Sequence, residues 1–391
     1  MSNASRAKYR QSECTPAQQL KFVDPTTGLF HLQVNLLVML FRIHRGVESD
    51  MCSISRWLDV LGRDKEKLWD AQKEYIKDFR ACNDLFQTIL DGYILGYLSH
   101  SGKYSDTTTY IQNLSSAGLR GAINALAKQL LDFSTLSDQI SESPELRDRP
   151  RENLWLFLQH AMMYRFLVTS MRQGDPGRVV ASLHYFTIWL QASTQHQYAA
   201  ECLHLIACLS TYWSDRHKRQ WMESSLVNLS GKREGFRACD AVCEHLIREI
   251  KAIVPNNITE TTLQYLFDKI SPQIFFLRDI RRKMVAESGA PRVSMHSSTV
   301  SNFTDAKAVA DSLLEKNIYD LERGRSTEES PRVDLHGEGQ IKMAFGDCIQ
   351  RYKDRLESRQ DFTQEDALPE GSLALDYDSD EDLDREWIVG E

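Results

Sequence analysis

The 391-residue chain contains no CxxC pair, no apolar run of membrane-spanning length and no glycine-rich loop followed by lysine. Its longest apolar run, 36-LLVMLF-41, ends at Arg42, far short of the roughly 20 residues that a membrane span needs. The N-terminal MSNASRAKYRQSECT has basic residues but no apolar stretch behind them, so neither a secretory signal nor an anchor is expected. The eight cysteines are scattered, which excludes a disulfide framework and implies reduced thiols in an intracellular protein with no membrane partner. Without a phosphate-binding loop, a nucleophile elbow or an HExxH motif, nucleotide hydrolases, esterases and metalloproteases are disfavoured. No fixed-period repeat emerges, which disfavours a solenoid.

What the chain does contain is helix. Hydrophobic residues make up 42% and aromatics 9%, enough for a sizeable core. Only 20-LKFVDPTTGLF-30 reads as a short strand and turn, broken at Asp24-Pro25 and Gly28. From His31 onward the apolar spacing is helical, and 64–98 keeps that period through many turns, predicting one long helix. Further helices are predicted near 115–134, 151–172, 176–191, 196–213, 236–254, 257–269, 272–288 and 304–316. The fold class is therefore mainly α: one large multi-helix domain with a short N-terminal strand and turn.

Charge divides the chain. Residues 361–391 hold twelve acids against Arg385 alone, a local charge of -11; subtracted from the total of -8, this leaves about +3 for residues 1–360. The expected organisation is a disordered segment at 1–19, a helical domain at 20–325, and then 326–391. That last part comprises a polar linker in 325-RSTEESPRVDLHGEGQ-340, a short helix at 341–356 and a disordered acidic tail. Within the tail, Ser379 precedes Asp380, Glu381 and Asp382, a context that suits an acidophilic kinase; an unmodified solvating tail is the simpler reading.

The stretch 238-ACDAVCEHLIREIK-251 concentrates reactive residue types. On a helix, Cys239, Cys243, Leu246, Ile250 and Ile253 form one apolar stripe, so both cysteines are expected to be structural, on the buried seam. Asp240, Glu244 and Lys251 lie beside that seam. Two carboxylates at i and i+4 repel on an exposed helix, so their pairing points to a site, while pairing of Glu244 with Arg248 is the ordinary alternative. His31, after the turn at Gly28, is a candidate to orient an acid or bind a metal, or else a satisfied structural histidine.

The motifs GLFHLQ at 28–33, GDPGR at 174–178, YAAE at 198–201, L-V-N-x-S-G at 226–231, D-x-x-x-E-H-L at 240–246 and S-P-x-I-x-x-L-R at 271–278 stand in an order that resembles the fungal domain-of-unknown-function family 6589. The resemblance covers roughly residues 20–325 and includes Gly28, Ser271 and Pro272 as structural positions. It implies a large, mainly helical protein, abundant in mushroom-forming fungi in the manner of mobile elements. By analogy it implies a transposase with a ribonuclease-H-like core, in which acids hold two magnesium or manganese ions. On that analogy Glu244 and Asp240 are the catalytic candidates, with Glu244 and His31 as metal ligands. The chain departs from the family in beginning downstream of the segment that would supply the first acid. It also carries Ile247 where the family tends to have asparagine. The expectation is an N-terminally incomplete copy, which apolar surface exposed around Phe22 and Phe30 would confirm.

Basic clusters mark the nucleic-acid candidates: Lys232 and Arg233 in a loop, Lys251 on the helix, and Arg278, Arg281, Arg282 and Lys283. Three functions stay open. The first is a fragment or decayed copy of a transposon-associated protein that keeps DNA affinity without a complete catalytic site. The second is a non-enzymatic helical interaction module whose acidic tail recruits partners. The third is a remnant metal-dependent DNA transposase. A DNA-binding protein would be nuclear, and otherwise cytoplasmic.

Overall fold

In the computed structural model, residues 26–131, 143–193, 195–253, 302–325 and 329–345 are described, together with a few isolated positions; for 248–253 this covers the backbone alone. The centre is α1 (Leu29–His44), which is apolar on nearly every side: Leu32, Leu36, Leu37 and Leu40 are fully buried, and so is His44. Around it run α2 (Ile54–Val60), α3 (Lys65–Leu68), α4 (Phe79–Ser101), α5 (Thr107–Gln112), α6 (Ser116–Leu131), α7 (Arg149–Arg172), α8 (Pro176–Ala192) and α9 (His196–Ala207). Next come α10 (Asp215–Ser224), α11 (Cys239–Ile253), α12 (Asn302–Glu315) and α13 (Leu335–Phe345). Two antiparallel hairpins complete the described residues, β1 (Trp69–Asp70) with β2 (Tyr75–Ile76) and β3 (Leu226–Val227) with β4 (Arg237–Ala238). The mainly α expectation holds. No helix among the described residues is long and apolar enough to cross a membrane.

Helix starts follow their capping chemistry. In 174-GDPGR-178, Gly174 adopts φ +68°, Asp175 accepts the Arg178 N–H at 2.9 Å, and Pro176 occupies the first turn, where its missing donor costs nothing. Asp148 caps α7 in the same way through Arg151 N. The family motif at 174–178 is thus a device for starting a helix.

The single long helix expected over 64–98 is instead α3, a hairpin and α4. Asp70 Oδ1 accepts the N–H groups of Gln72 and Lys73 at 3.0 and 3.1 Å, and Glu74 takes φ +49°. These local bonds compete with the helical ladder and turn the chain back, and Asp78 then caps α4 through Ala81 N. Periodicity sees the apolar residues but not these turns. The strand read at 20–24 lies outside the described residues. So do 1–19, the body of the helices predicted at 257–269 and 272–288, and the acidic tail.

The larger correction concerns 325–340. Of this polar segment, expected to be a linker, the described residues Arg325 and 329–340 are packed into the body. Arg325 pairs with buried Asp148 at 2.6 Å, Arg332 with buried Asp50 at 2.7 Å, and Glu329 accepts the Met51 N–H at 2.8 Å. Leu335 is fully buried, and α13 lies on α8 with Gly339 against the Ile188 backbone. The helix expected at 341–356 begins earlier, at Leu335. Before this segment, α12 packs along α4 at two glycines: a Cβ at Gly92 would come within 2.6 Å of Val309, and one at Gly96 would meet the Tyr319 hydroxyl. Phe30, whose exposure would have supported an incomplete fold, is buried edge-on against Phe79 at 5.5 Å; Phe22 lies outside the described residues.

His44 and His160 form a fully buried pair, Nε2 to Nδ1 at 2.8 Å, and His44 Nδ1 has no hydrogen-bond partner. Burial lowers both, His160 to about 3; His160 and Arg332 further lower His44, and His336 further lowers His160. The unfolded chain protonates these rings near 6.5, so below that pH it takes up protons that the folded chain refuses. Stability is therefore lost as pH falls from about 6.5 toward 3, by up to about 1.4 kcal/mol per pH unit per ring. Urea unfolding at pH 7.5 and 5.5 should show this loss. His160→Gln, although less stable at pH 7.5, should show a shallower slope, and an unchanged slope would refute the assignment. In the second ion-paired region, Arg332→Met should cost about 3 kcal/mol because it strands the buried Asp50 charge, whereas adding Asp50→Leu should recover part of the loss in the same assay.

Candidate functional site

The first turn of α1 has no cap of its own. Its N-cap is Gly28, which has no side chain, and the donors of Phe30 and His31 would be left without acceptors. Asp240, 210 residues away on α11, supplies the acceptor. Its carboxylate takes the Phe30 N–H at 3.1 and 3.0 Å, the His31 N–H at 3.1 Å and His31 Nδ1 at 3.0 Å. A Cβ at Gly28 would fall on this carboxylate, 2.8 Å from Cγ, so the glycine is required for the approach. Asp240 thus caps a helix from outside it.

With Nδ1 tied to Asp240, His31 turns Nε2 toward Glu244 Oε1, 3.9 Å away. The hydrogen bond from Asp240 raises the His31 pKa above 6.5; burial opposes this, and the charges of Asp240 and Glu244 add to it. Burial pulls the Asp240 carboxyl upward, but the His31 ring and the two backbone donors outweigh it and hold the group below its ordinary value. At neutral pH the pair is an anionic cap beside a readily protonated imidazole. Asn35 donates to the His31 carbonyl at 2.8 Å, and it also bonds Tyr198 of the YAAE motif. The Tyr198 phenol is pushed up to about 12, chiefly by burial, with Tyr75, Glu201 and Asp240 adding negative charge.

Four of the sequence candidates, Gly28, His31, Asp240 and Glu244, therefore converge. Cys239 and Cys243 do not behave as expected: Cys239 is only half-buried, and Cys243 is exposed. The inward residues of α11 are Val242 and His245, and Asp240 is held by α1 on another side; at 100° per residue Cys243 falls between these directions and faces solvent with Ile247. Lys232 and Arg233 are exposed in the loop between β3 and β4. Lys251 belongs to α11, where only the backbone is described, and Arg278, Arg281, Arg282, Lys283, Ser271 and Pro272 lie outside the described residues.

Sequence reasoning missed the arginines on the flank. Half-buried Arg237 has its pKa lowered first by burial and then by the charges of Arg172 and Arg80, and the same two arginines act on the Asp84 carboxyl, so the flank holds charges of both signs. Only the position of Arg237, three residues before Asp240, hinted at them. The L-V-N-x-S-G motif is a turn: Asn228 Oδ1 accepts Gly231 N–H at 2.9 Å, Asn228 Nδ2 donates to the Lys232 carbonyl at 2.7 Å, and Gly231 takes φ +69°.

For a divalent metal the fit is poor. Asp240 Oδ2 already takes three donors, leaving Glu244 and His31 Nε2, and among the described residues no group of three His, Cys, Asp or Glu is placed to hold an ion. No hydrolytic step through such an ion follows from this geometry.

A family model described as "Family of unknown function (DUF6589)" matches residues 2–296. No match was found among curated proteins or solved structures. The matched span contains every residue of the Asp240 cluster and ends before α12 and α13, which nonetheless belong to the packed body.

If Asp240 is a cap, Asp240→Ala should lower unfolding stability by about 1–2 kcal/mol in denaturant titration, and Glu244→Gln should stay within about 0.5 kcal/mol. The His31 ring, followed by NMR, should titrate above 6.5 in the native chain and drop toward 6.5 in Asp240→Asn. Equal stability losses from both substitutions would contradict a capping role.

Proposed function

The chain belongs to the family of unknown function DUF6589, and within it we propose a helical, non-catalytic DNA-binding module, consistent with the transposon-associated origin that its motifs suggest. The observation that carries this reading is the succession of two basic clusters on adjoining elements, a helix and the hairpin that follows it. Helix α10 presents Arg216, Lys218 and Arg219 and runs directly into β3, whose hairpin loop carries Lys232 and Arg233 and returns through Arg237. Across 215–238, six Lys and Arg oppose three acids, Asp215, Glu223 and Glu234, so this short stretch has a surplus of three positive charges. Phosphate binding needs such a field and little else, since neutralising phosphates releases condensed counterions.

The Asp240 cluster is then a keystone that sets the hairpin and α11 against α1, and Glu244 has no complete set of partners for phosphodiester cleavage. A second reading, a protein-interaction module, is favoured by α6, which is largely exposed and leaves Ile123 46% accessible.

Binding to a labelled duplex should be measurable at low salt by fluorescence anisotropy, with affinity falling steeply as salt rises. The full chain carrying Lys232→Glu and Arg233→Glu should bind at least about tenfold more weakly, with a salt slope shallower by about two. Absence of binding at low salt, or a double variant that binds like the native chain, would sink the DNA reading. Equal DNA cleavage by the native chain and Glu244→Gln in magnesium would separately exclude Glu244 from any phosphodiester chemistry.

A further inference from the structure

Resting on that reading, we infer that the acidic C-terminal segment of this same chain, centred on 376-DYDSDEDLDRE-386, docks on the basic face of α10 and the β3–β4 loop and competes there with DNA. Three observations support this occupant over another. The first is where the described chain leads. After α13, whose Lys342 Nζ donates to the Ala192 carbonyl at 2.6 Å at the end of α8, Tyr352 places its hydroxyl 3.1 Å from His204 Nδ1 on α9. Helix α9 passes into a π-helical turn, Cys208–Tyr212, and the Ser210 carbonyl of that turn accepts Lys218 Nζ of α10 at 3.4 Å. The C-terminal chain is therefore delivered next to the element that begins the basic face.

The second is reach. Eight residues lie between Tyr352 and Asp361, the first acid of the 361–391 tail, and nine steps of an extended chain at about 3.3 Å each make about 30 Å available before that run begins. That is ample to cross α10 and arrive at the hairpin loop. The third is charge. The tail carries -11 and the remainder of the chain about +3, and the surplus of three on 215–238 equals that whole excess. Carboxylates repeated along a short segment present the same chemistry as successive phosphates, and a tethered segment acts at an effective concentration far above that of a free ligand. The family match ends before this region, so the tail lies outside the matched span.

Zero-length carbodiimide crosslinking of the full chain tests the contact directly, because it joins a carboxylate to a lysine only where they touch. Monomeric product should contain tail acids joined to Lys218 or Lys232, and these links should disappear at high salt or on adding duplex DNA. In parallel, a full-chain variant with Asp376, Asp378, Asp380, Asp382 and Asp384 changed to Asn, and Glu381 and Glu386 to Gln, should bind DNA about 5–10-fold more tightly at low salt. Tail links scattered over remote lysines such as Lys67 and Lys103, or tighter DNA binding with no links to Lys218 or Lys232, would overturn the docking and leave DNA binding intact. Links at Lys218 and Lys232 in a chain that never binds DNA would uphold the docking and remove the reading of the face as a DNA site.

Discussion

The carboxylate of Asp240 on the first turn of α1 is the contact through which the rest of the site is positioned. Helix α1 is the most buried element of the body, and a helix that is apolar all round has no polar residue to spare for its own start. Gly28 removes the steric obstacle, and the acceptor comes from a helix more than two hundred residues away. That single requirement accounts for the separated motifs. Glycine, phenylalanine and histidine at 28–31 and aspartate at 240 are two halves of one cap, and His31 and Glu244 are brought together because of it. A carboxylate committed in this way is a poor metal ligand, which moves the centre of interest from hydrolysis to the basic hairpin that Asp240 holds in place.

The same economy appears on the opposite flank. Arg325, Glu329 and Arg332 are held by Asp148, the backbone of Met51 and Asp50, and apolar burial enters only at Val333 and Leu335. Buried ion pairs of this kind add little net stability, because desolvation offsets much of the Coulomb gain. What they provide is register: each charge has one partner, and mispairing would leave a buried charge alone. Beyond α13, Tyr352 bonds His204 on α9, so the position of this flank bears on how the acidic residues beyond it can act.

Helical period and helix caps were legible in the sequence wherever they are local. The starts of α7 and α8 follow from Asp148 and Asp175 with their prolines, and the apolar steps of α1 are plain. The break at Asp70 was hidden because the flanking apolar residues keep the helical interval while the turn is made by one side chain bonding its neighbours' backbone. On α11 the helix itself was legible but its orientation was not. Cys243 lies on the predicted apolar stripe and is exposed, since a helix held on two sides is oriented by both partners and not by its own stripe alone.

By itself the sequence determined the helical class, the family and the division of charge between body and tail, and it singled out Asp240, Glu244 and His31 as candidates. These rest on period, composition and short-range spacing, which are properties of neighbouring residues. Only the tertiary structure decided that Asp240 is a cap and that Arg325 and residues 329–340 pack into the body. Each of those depends on a partner far away in the chain, and a hydrogen bond or ion pair across two hundred residues leaves no periodic trace in the sequence that makes it.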